Sequence, residues 1–321
     1  MIIARIIPHA GLGNQMFMYA AGLSLSQRLG TELRLGAWDF ENNQFGEDVR
    51  PYQLANFPEI TERNASFGEL LRTCPGQIII NLLCYKRIKR RDIFRRLVRG
   101  LMRRLRLIPH TITGAKPPYF SRVYIQKSGG YCPEFETLPD NIMISGSWES
   151  EKYFASISDL VRRKFTFSHE CFNTELSEKI KNCNSVALHV RRGDKAYLDW
   201  SLPSDERYIR LAIEKILSLT ENPSFFVFSD DTEWCRKNLP LIHDSEYTFV
   251  EGQTPPQDMA AMSLCRHVIM GPSTFSWWGA WLNEYPGKIV IAPDVNLWYK
   301  AGHYNPEARK DLLPERWIKI Q

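Results

Sequence analysis

Residues Ile2 to Leu35, IIARIIPHAGLGNQMFMYAAGLSLSQRLGTELRL, decide the fold class. Ile2 to Ile7 is an apolar run of strand length. His9 to Gly13 is a tight loop with two glycines. Asn14 to Leu29 reads as a helix closed by Gly30, and Thr31 to Leu35 alternates like a second strand. A strand, loop, helix and strand in that order open an α/β domain.

Working outward, residues 37–80 are irregular and 109–135 read mostly as loop, with four prolines. The second half returns to the opening pattern. Strands are expected at Ser185–Val190, Phe225–Ser229, Tyr247–Val250, His267–Met270 and Lys288–Ala292. Helices are expected at Glu206–Leu219, Thr232–Asn238, Gln257–Cys265 and Thr274–Asn283. Strands alternating with helices imply parallel, doubly wound sheets with ligands at their carboxyl ends. Two α/β domains in tandem follow, one over 1–165 and one over 166–321.

Composition excludes several classes. Hydrophobic residues make up 44% and charged residues 24%, as in globular proteins. The longest apolar stretch, Ile78 to Tyr85, is interrupted by Asn81 and is too short to cross a bilayer. Met1 to Ile7 is followed by Pro8, His9 and Gly11, not by a secretory core, so a cytoplasmic location is expected. The seven cysteines include no CxxC pair, which argues against a disulfide framework or a zinc site. Net charge is +5, yet Lys86 to Arg106 holds eleven basic residues against Asp92 and contributes +10, leaving −5 for the rest.

Four loops, each after an expected strand, carry the chemistry. Gly11-Leu12-Gly13-Asn14-Gln15 lets backbone approach a ligand, with Asn14 expected at the helix N-cap. It reads equally as a well-capped helix after a tight turn. His189-Val190-Arg191-Arg192-Gly193-Asp194 places two arginines at a strand end. Their planar forks suit phosphate oxygens, with Asp194 able to hold one of them and His189 able to donate; the plainer reading is a structural ion pair. Ser229-Asp230-Asp231 resembles a metal pair, but with no further acids in a ligand pattern helix capping is favoured and no metal is expected. Ser273 to Trp281 starts a helix with hydroxyls, an anion-site feature, while Trp277 and Trp281 share one face and read as core.

The strings GLGNQMF, LHVRRGD and STFSWWGAWL, with FVFSDD and the segment Ser147 to Phe154, resemble the bacterial α-1,2-fucosyltransferases, inverting enzymes that use GDP-fucose. The resemblance spans residues 11–292. It implies a GT-B-like fold with two facing Rossmann-type domains of parallel sheets, the donor bound mainly by the second. It implies transfer of L-fucose from GDP-β-L-fucose to a galactose-type hydroxyl of a glycan, such as an O-antigen, without cofactor or metal. By the resemblance Arg191 holds the β-phosphate, His189 lies near the nucleotide, Thr274 and Phe275 supply a hydroxyl and an aromatic beside Ser273, Asp258 reads the guanine edge, and Asn14 faces the sugar. Gly11, Gly13, Arg192 and Asp194 complete the expected donor site. Asp199, five residues after Asp194, lies near where a related group carries a catalytic glutamate; it reads equally as a solvated loop acid. Three positions depart from the pattern: Pro272 for asparagine, Lys195 for tyrosine and Gly36 for aspartate.

Two other readings compete. One is another GDP-sugar on the same frame. The other is a polyanion-binding protein built on Lys86–Arg106, but no nucleic-acid motif appears and no nucleic-acid partner is expected. In Ile88–Leu107 the residues Ile93, Phe94, Leu97, Val98, Leu101 and Leu105 recur at helical spacing amid arginines. That is the pattern of a helix (86–107) lying on an anionic membrane at the inner face of the plasma membrane, or of one packed on the domain with solvated arginines.

Overall fold

The computed structural model describes residues 1–8, 10–37, 50–73, 122–127, 129–193, 195, 197–199, 201–242, 247–300 and 309–321. The basic segment 86–107 and Asp194 lie outside them.

Two sheets form, and every strand pair in both is parallel. The first has the order β2-β1-β4-β3, from β1 (Ile2–Arg5), β2 (Leu33–Gly36), β3 (Val123–Ile125) and β4 (Ile142–Ser145). Helix α1 (Leu12–Arg28) joins β1 to β2, starting two residues earlier than the sequence suggests, and α2 (Phe67–Thr73) follows. β3 and β4 were not expected. β4 pairs beside β1 through Ile2–Ile142, although 140 residues separate them.

The second sheet has the order β10-β9-β8-β5-β6-β7. Its strands are β5 (Asn184–Val190), β6 (Pro223–Ser229), β7 (Tyr247–Val250), β8 (His267–Ile269), β9 (Val290–Pro293) and β10 (Ile318–Ile320). Helices α3 (Ser158–Lys164) and α4 (Thr174–Lys181) precede it. Between its strands run α5 (Glu206–Leu217), α6 (Thr232–Asn238), α7 (Pro255–Leu264) and α8 (Thr274–Leu282). The chain steps from β5 out to β7, then returns to the other side of β5 at β8. The place between β5 and β8 is a topological switch point, where doubly wound sheets bind ligands at their carboxyl ends.

One apolar cluster spans both domains, centred on α8. Trp277 and Trp278 are fully buried and Trp281 is nearly so. Trp277 and Trp281 stack at 6.2 Å, as their spacing predicts. Phe17 of α1 meets Trp277 at 4.5 Å and Trp278 at 4.9 Å, while Phe154 lies face to face with Trp278 at 5.4 Å. Each indole N–H donates to a different segment: Trp277 to the Leu312 carbonyl, Trp278 to the Gly13 carbonyl and Trp281 to Glu151. Buried indoles need such partners, and here those partners tie both domains and the C-terminal segment to one helix.

The far end of α8 is held by cations. Arg162 donates to the Trp281 carbonyl at 2.8 Å, and the Lys288 ammonium donates to the Ala280 carbonyl at 2.7 Å and to the Asn283 carbonyl. Burial pulls Lys288 down to about 8. Positive charge at a helix C-terminus complements the macrodipole. The N-terminus carries no acid in its first turn. Among the described residues, no helix is long and apolar enough to cross a membrane.

Candidate active site

The first turns of α1 and α8 press on each other. A Cβ added at Gly13 would lie 2.5 Å from the Thr274 carbonyl carbon and 2.6 Å from its oxygen. Only glycine permits that approach. The Thr274 hydroxyl reaches Asn14 Oδ1 at 2.5 Å, across the domain boundary. Because each helix follows the carboxyl end of its own strand, the contact sets the two sheets' carboxyl edges towards each other. This is the facing, GT-B-like arrangement.

Asn14 is not the N-cap that the sequence suggests. Gly11 holds that position in extended backbone, no side chain caps the helix, and Asn14 is the third helical residue. This register turns its side chain to Thr274. The loop is held instead by Gln15, which is fully buried. Its amide donates to the carbonyls of Ala10 and Pro51 at 2.8 and 2.9 Å, and its oxygen accepts from the Gln53 N–H at 2.9 Å. Sequence reasoning gave Gln15 no role. Gly11 stands beside Arg50, whose guanidinium would lie 3.0 Å from a Cβ there.

At the end of β5 the two arginines part. Arg191 Nη1 pairs with Asp230 Oδ2 at 2.6 Å. Its backbone is clamped by Ser204, whose Oγ accepts the Arg191 N–H at 2.8 Å and whose N–H donates to the Arg191 carbonyl at 2.7 Å. Arg192 is spent on its surroundings. Its guanidinium lies 3.9 Å from the centre of the Trp234 ring, donates to the Ser204 carbonyl at 3.3 Å and approaches Asp231 at 3.8 Å. The paired acids also divide. Asp231 caps α6 by accepting from the Trp234 N–H at 3.1 Å, the expected role. Asp230 instead takes Arg191 Nη1 and the Arg192 backbone N–H at 2.8 Å. The guanidinium holder expected at Asp194 is thus Asp230 among the described residues. Its signal was the first of the two acids after β6, which capping by Asp231 left unused.

His189 is buried against Phe275, ring centres 5.8 Å apart. Burial, with Arg191 and Lys195 nearby, pushes it down to about 3, so it is neutral at working pH. Its Nδ1 has no hydrogen-bond partner among the described residues. Gly271 makes room for it, since a Cβ there would lie 2.8 Å from the His189 carbonyl oxygen and 3.0 Å from Nδ1. Ser273 caps α8 by accepting from the Phe275 N–H at 3.2 Å.

Asp258 lies in the first turn of α7, just after Gln257, whose Oε1 accepts from the Thr254 N–H at 2.8 Å. Its Oδ1 is buried without a partner, and burial pushes the carboxyl up to about 7. A buried acceptor without a donor suits a ligand that brings N–H groups. Asp199 is exposed, and among the described residues no hydrogen bond or ion pair joins it to this cluster. Among the described residues, no group of three or more His, Cys, Asp and Glu could hold a metal ion.

The fold and site define a two-domain transferase frame: facing carboxyl edges, two helix N-termini in contact and an arginine held by Asp230 at the end of β5. Glycosyl transferase family 11 matches residues 119–321. An alpha-1,2-colitosyltransferase of Escherichia coli is 30% identical, covering 100% of this chain and 99% of that protein. An O-antigen biosynthesis glycosyltransferase of Escherichia coli is 27% identical over 97% of this chain and 98% of that protein. The galactoside alpha-(1,2)-fucosyltransferase 1 of Homo sapiens is 31% identical over 58% of this chain and 55% of that protein. A crystal structure of the alpha-1,6-fucosyltransferase NodZ soaked with GDP-fucose aligns with a TM-score of 0.49 at 17% identity, covering 92% of this chain and 96% of that one. The chain belongs to glycosyl transferase family 11 and is a glycosyltransferase.

Proposed function

We propose that the chain transfers L-fucose from GDP-β-L-fucose to O2 of a galactose unit, with inversion, building an O-antigen or similar glycan. The carrying observation is Arg191 at the end of β5, fixed by Asp230 at 2.6 Å, with His189 of the same strand packed against Phe275 in the first turn of α8 and that turn touching α1. A diphosphate leaving group gains charge as its bond to the sugar breaks. A fixed guanidinium and helix N-terminal backbone N–H groups stabilise that charge most in the transition state. Guanine would bring two N–H donors to the Asp258 carboxylate, whose Oδ1 is buried without a partner.

In the reaction the galactose oxygen attacks the anomeric carbon opposite the diphosphate. The carbon–oxygen bond to the β-phosphate breaks and GDP departs. The hydroxyl proton passes to a base, proposed to be Asp199; Asp199→Asn should then lower kcat by roughly a hundredfold and remove the acid limb of the pH profile. The charge is handled by arginine and helix N-termini, so activity should persist in excess EDTA. Contact of 86–107 with an anionic membrane is proposed from sequence, and salt-sensitive co-sedimentation with anionic vesicles would support it.

A panel of GDP-sugars against galactose-terminated oligosaccharides tests the function. Formation of an α-1,2-fucoside from GDP-fucose supports it; no transfer from any donor overturns it. The relative named for colitosyl transfer favours a second reading, another GDP-linked sugar on the same frame, and the same panel separates the two.

A further inference from the structure

The Thr274 hydroxyl, expected by resemblance to touch the donor, is already engaged. It lies 2.5 Å from Asn14 Oδ1. An amide oxygen accepts only, so the threonine must donate its single proton. A phosphate oxygen is also an acceptor, so while this bond stands the Thr274 hydroxyl has no proton to offer a phosphate. The amide of Asn14 is planar. With Oδ1 turned to Thr274, its NH2 is the end left for a ligand, and it carries two donors.

The contact is built rather than incidental. The backbones of Gly13 and Thr274 meet with no room for a Cβ. One helical turn further on, the Trp278 indole donates to the Gly13 carbonyl at 2.9 Å. Phe17 packs against Trp277 and Trp278 at 4.5 and 4.9 Å. These contacts fix the first turns of α1 and α8 relative to each other, so the Asn14 amide is aimed only when the two domains are joined in this way.

We propose that Thr274 is a positioning residue: its hydroxyl holds Asn14 Oδ1 so that the Asn14 NH2 donates to the oxygen joining sugar and diphosphate as that bond breaks. The proposal rests on the GDP-sugar transfer reading above. Thr274 then acts on turnover, whereas nucleotide affinity is left to Arg191, Asp258 and backbone N–H groups.

The test compares Thr274→Val, Thr274→Ser, Asn14→Ala, the Asn14→Ala/Thr274→Val double variant and Asn14→Asp in the full chain. The readouts are kcat, the KM for GDP-fucose, and the Kd for GDP by calorimetry. Thr274→Val should lower kcat at least about tenfold while GDP binds within about twofold of wild type, and Thr274→Ser should recover most of the loss. In the Asn14→Ala background, Thr274→Val should add no more than about twofold, because the two residues act as one unit. Asn14→Asp keeps an acceptor for Thr274 but turns a carboxylate oxygen to the diphosphate, and should weaken GDP at least about tenfold. That binding measurement stands even if Thr274→Val does not fold. Weaker GDP binding with unchanged kcat in Thr274→Val, additive losses in the double variant, or wild-type GDP affinity in Asn14→Asp would each overturn the proposal. Failure of the transfer reading would show in the wild-type protein, before any variant is compared, and would remove the proposal with it.

Discussion

The loop after β1 and the loop after β5 occupy equivalent places, each at the carboxyl end of the strand that opens its domain. Their chemistry differs. The first offers Gly11, Gly13 and the amide of Asn14; the second offers a neutral, buried His189 and the arginines Arg191 and Arg192. The first loop is shaped for close approach and the second for charge. The difference points to a division of labour in which the second domain holds the nucleotide and the first sets the geometry of the reacting sugar. Within the second loop, neighbouring arginines are not equivalent: Arg191 stands beside Asp230, while Arg192 lies on Trp234. Two arginines in sequence therefore do not occupy equivalent places.

The largest effect should fall on the charged loop. Arg191→Ala should lower kcat/KM by about a thousandfold, and Arg191→Lys nearly as much, since a point charge does not replace a fork. Near-normal turnover in a folded Arg191→Ala protein would break the contrast between the loops.

Next comes the neutral loop. Gly13→Ala drives a methyl into the Thr274 backbone, so one helix must move, which should cost about 1–3 kcal/mol of stability. Turnover should fall with it as Asn14 leaves its place. Gly11→Ala meets only the end of the flexible Arg50 side chain, at 3.0 Å, and should be close to neutral. Thermal melts and kcat for the pair measure whether close approach is confined to Gly13.

The smallest effect is a pH dependence at Asp258, whose carboxyl is pushed up to about 7 by burial. Guanine's N–H donors need the ionised form, so GDP affinity should rise between about pH 6 and about pH 8 by less than about tenfold per pH unit. Asp258→Asn should flatten that rise, and the nucleotide's own phosphate ionisation is common to both proteins. Asp258→Asn should also weaken GDP more than its inosine analogue, which lacks the amino group. For the free protein the sign is opposite. The folded pKa lies above the unfolded value, so the folded state binds more protons between about pH 4 and about pH 7, and stability falls as pH rises through that window. His189, held down at about 3, contributes nothing there.

The second domain was the more legible of the two. Val186 to Val190 and Phe225 to Phe228 are buried runs, and a strand buried on both faces announces itself without alternation. The helix Thr232–Asn238 and the strand Tyr247–Val250 fall where capping and apolarity put them. The first domain was legible only to Leu35. β3 and β10 have three residues each and β4 has four, too few for a period to show, and β4 finds its place through a partner far away in sequence. In the site, residue types at strand ends marked Arg191 and the hydroxyls before α8, and the family resemblance marked Asp258, but their partners were hidden. Asp230, Ser204 and Gln15 reach their positions through tertiary packing. No local pattern distinguishes an acid that caps a helix from its neighbour that holds an arginine.

The most direct measurement is a crystal structure of the protein with GDP. The account predicts guanine against the Asp258 carboxylate and the β-phosphate against Arg191 beside the first turns of α1 and α8. Nucleotide seated instead in the adjoining cavity of about 630 Å³ lined by Arg192, Arg207 and Arg210, with Asp258 and Arg191 untouched, would contradict it.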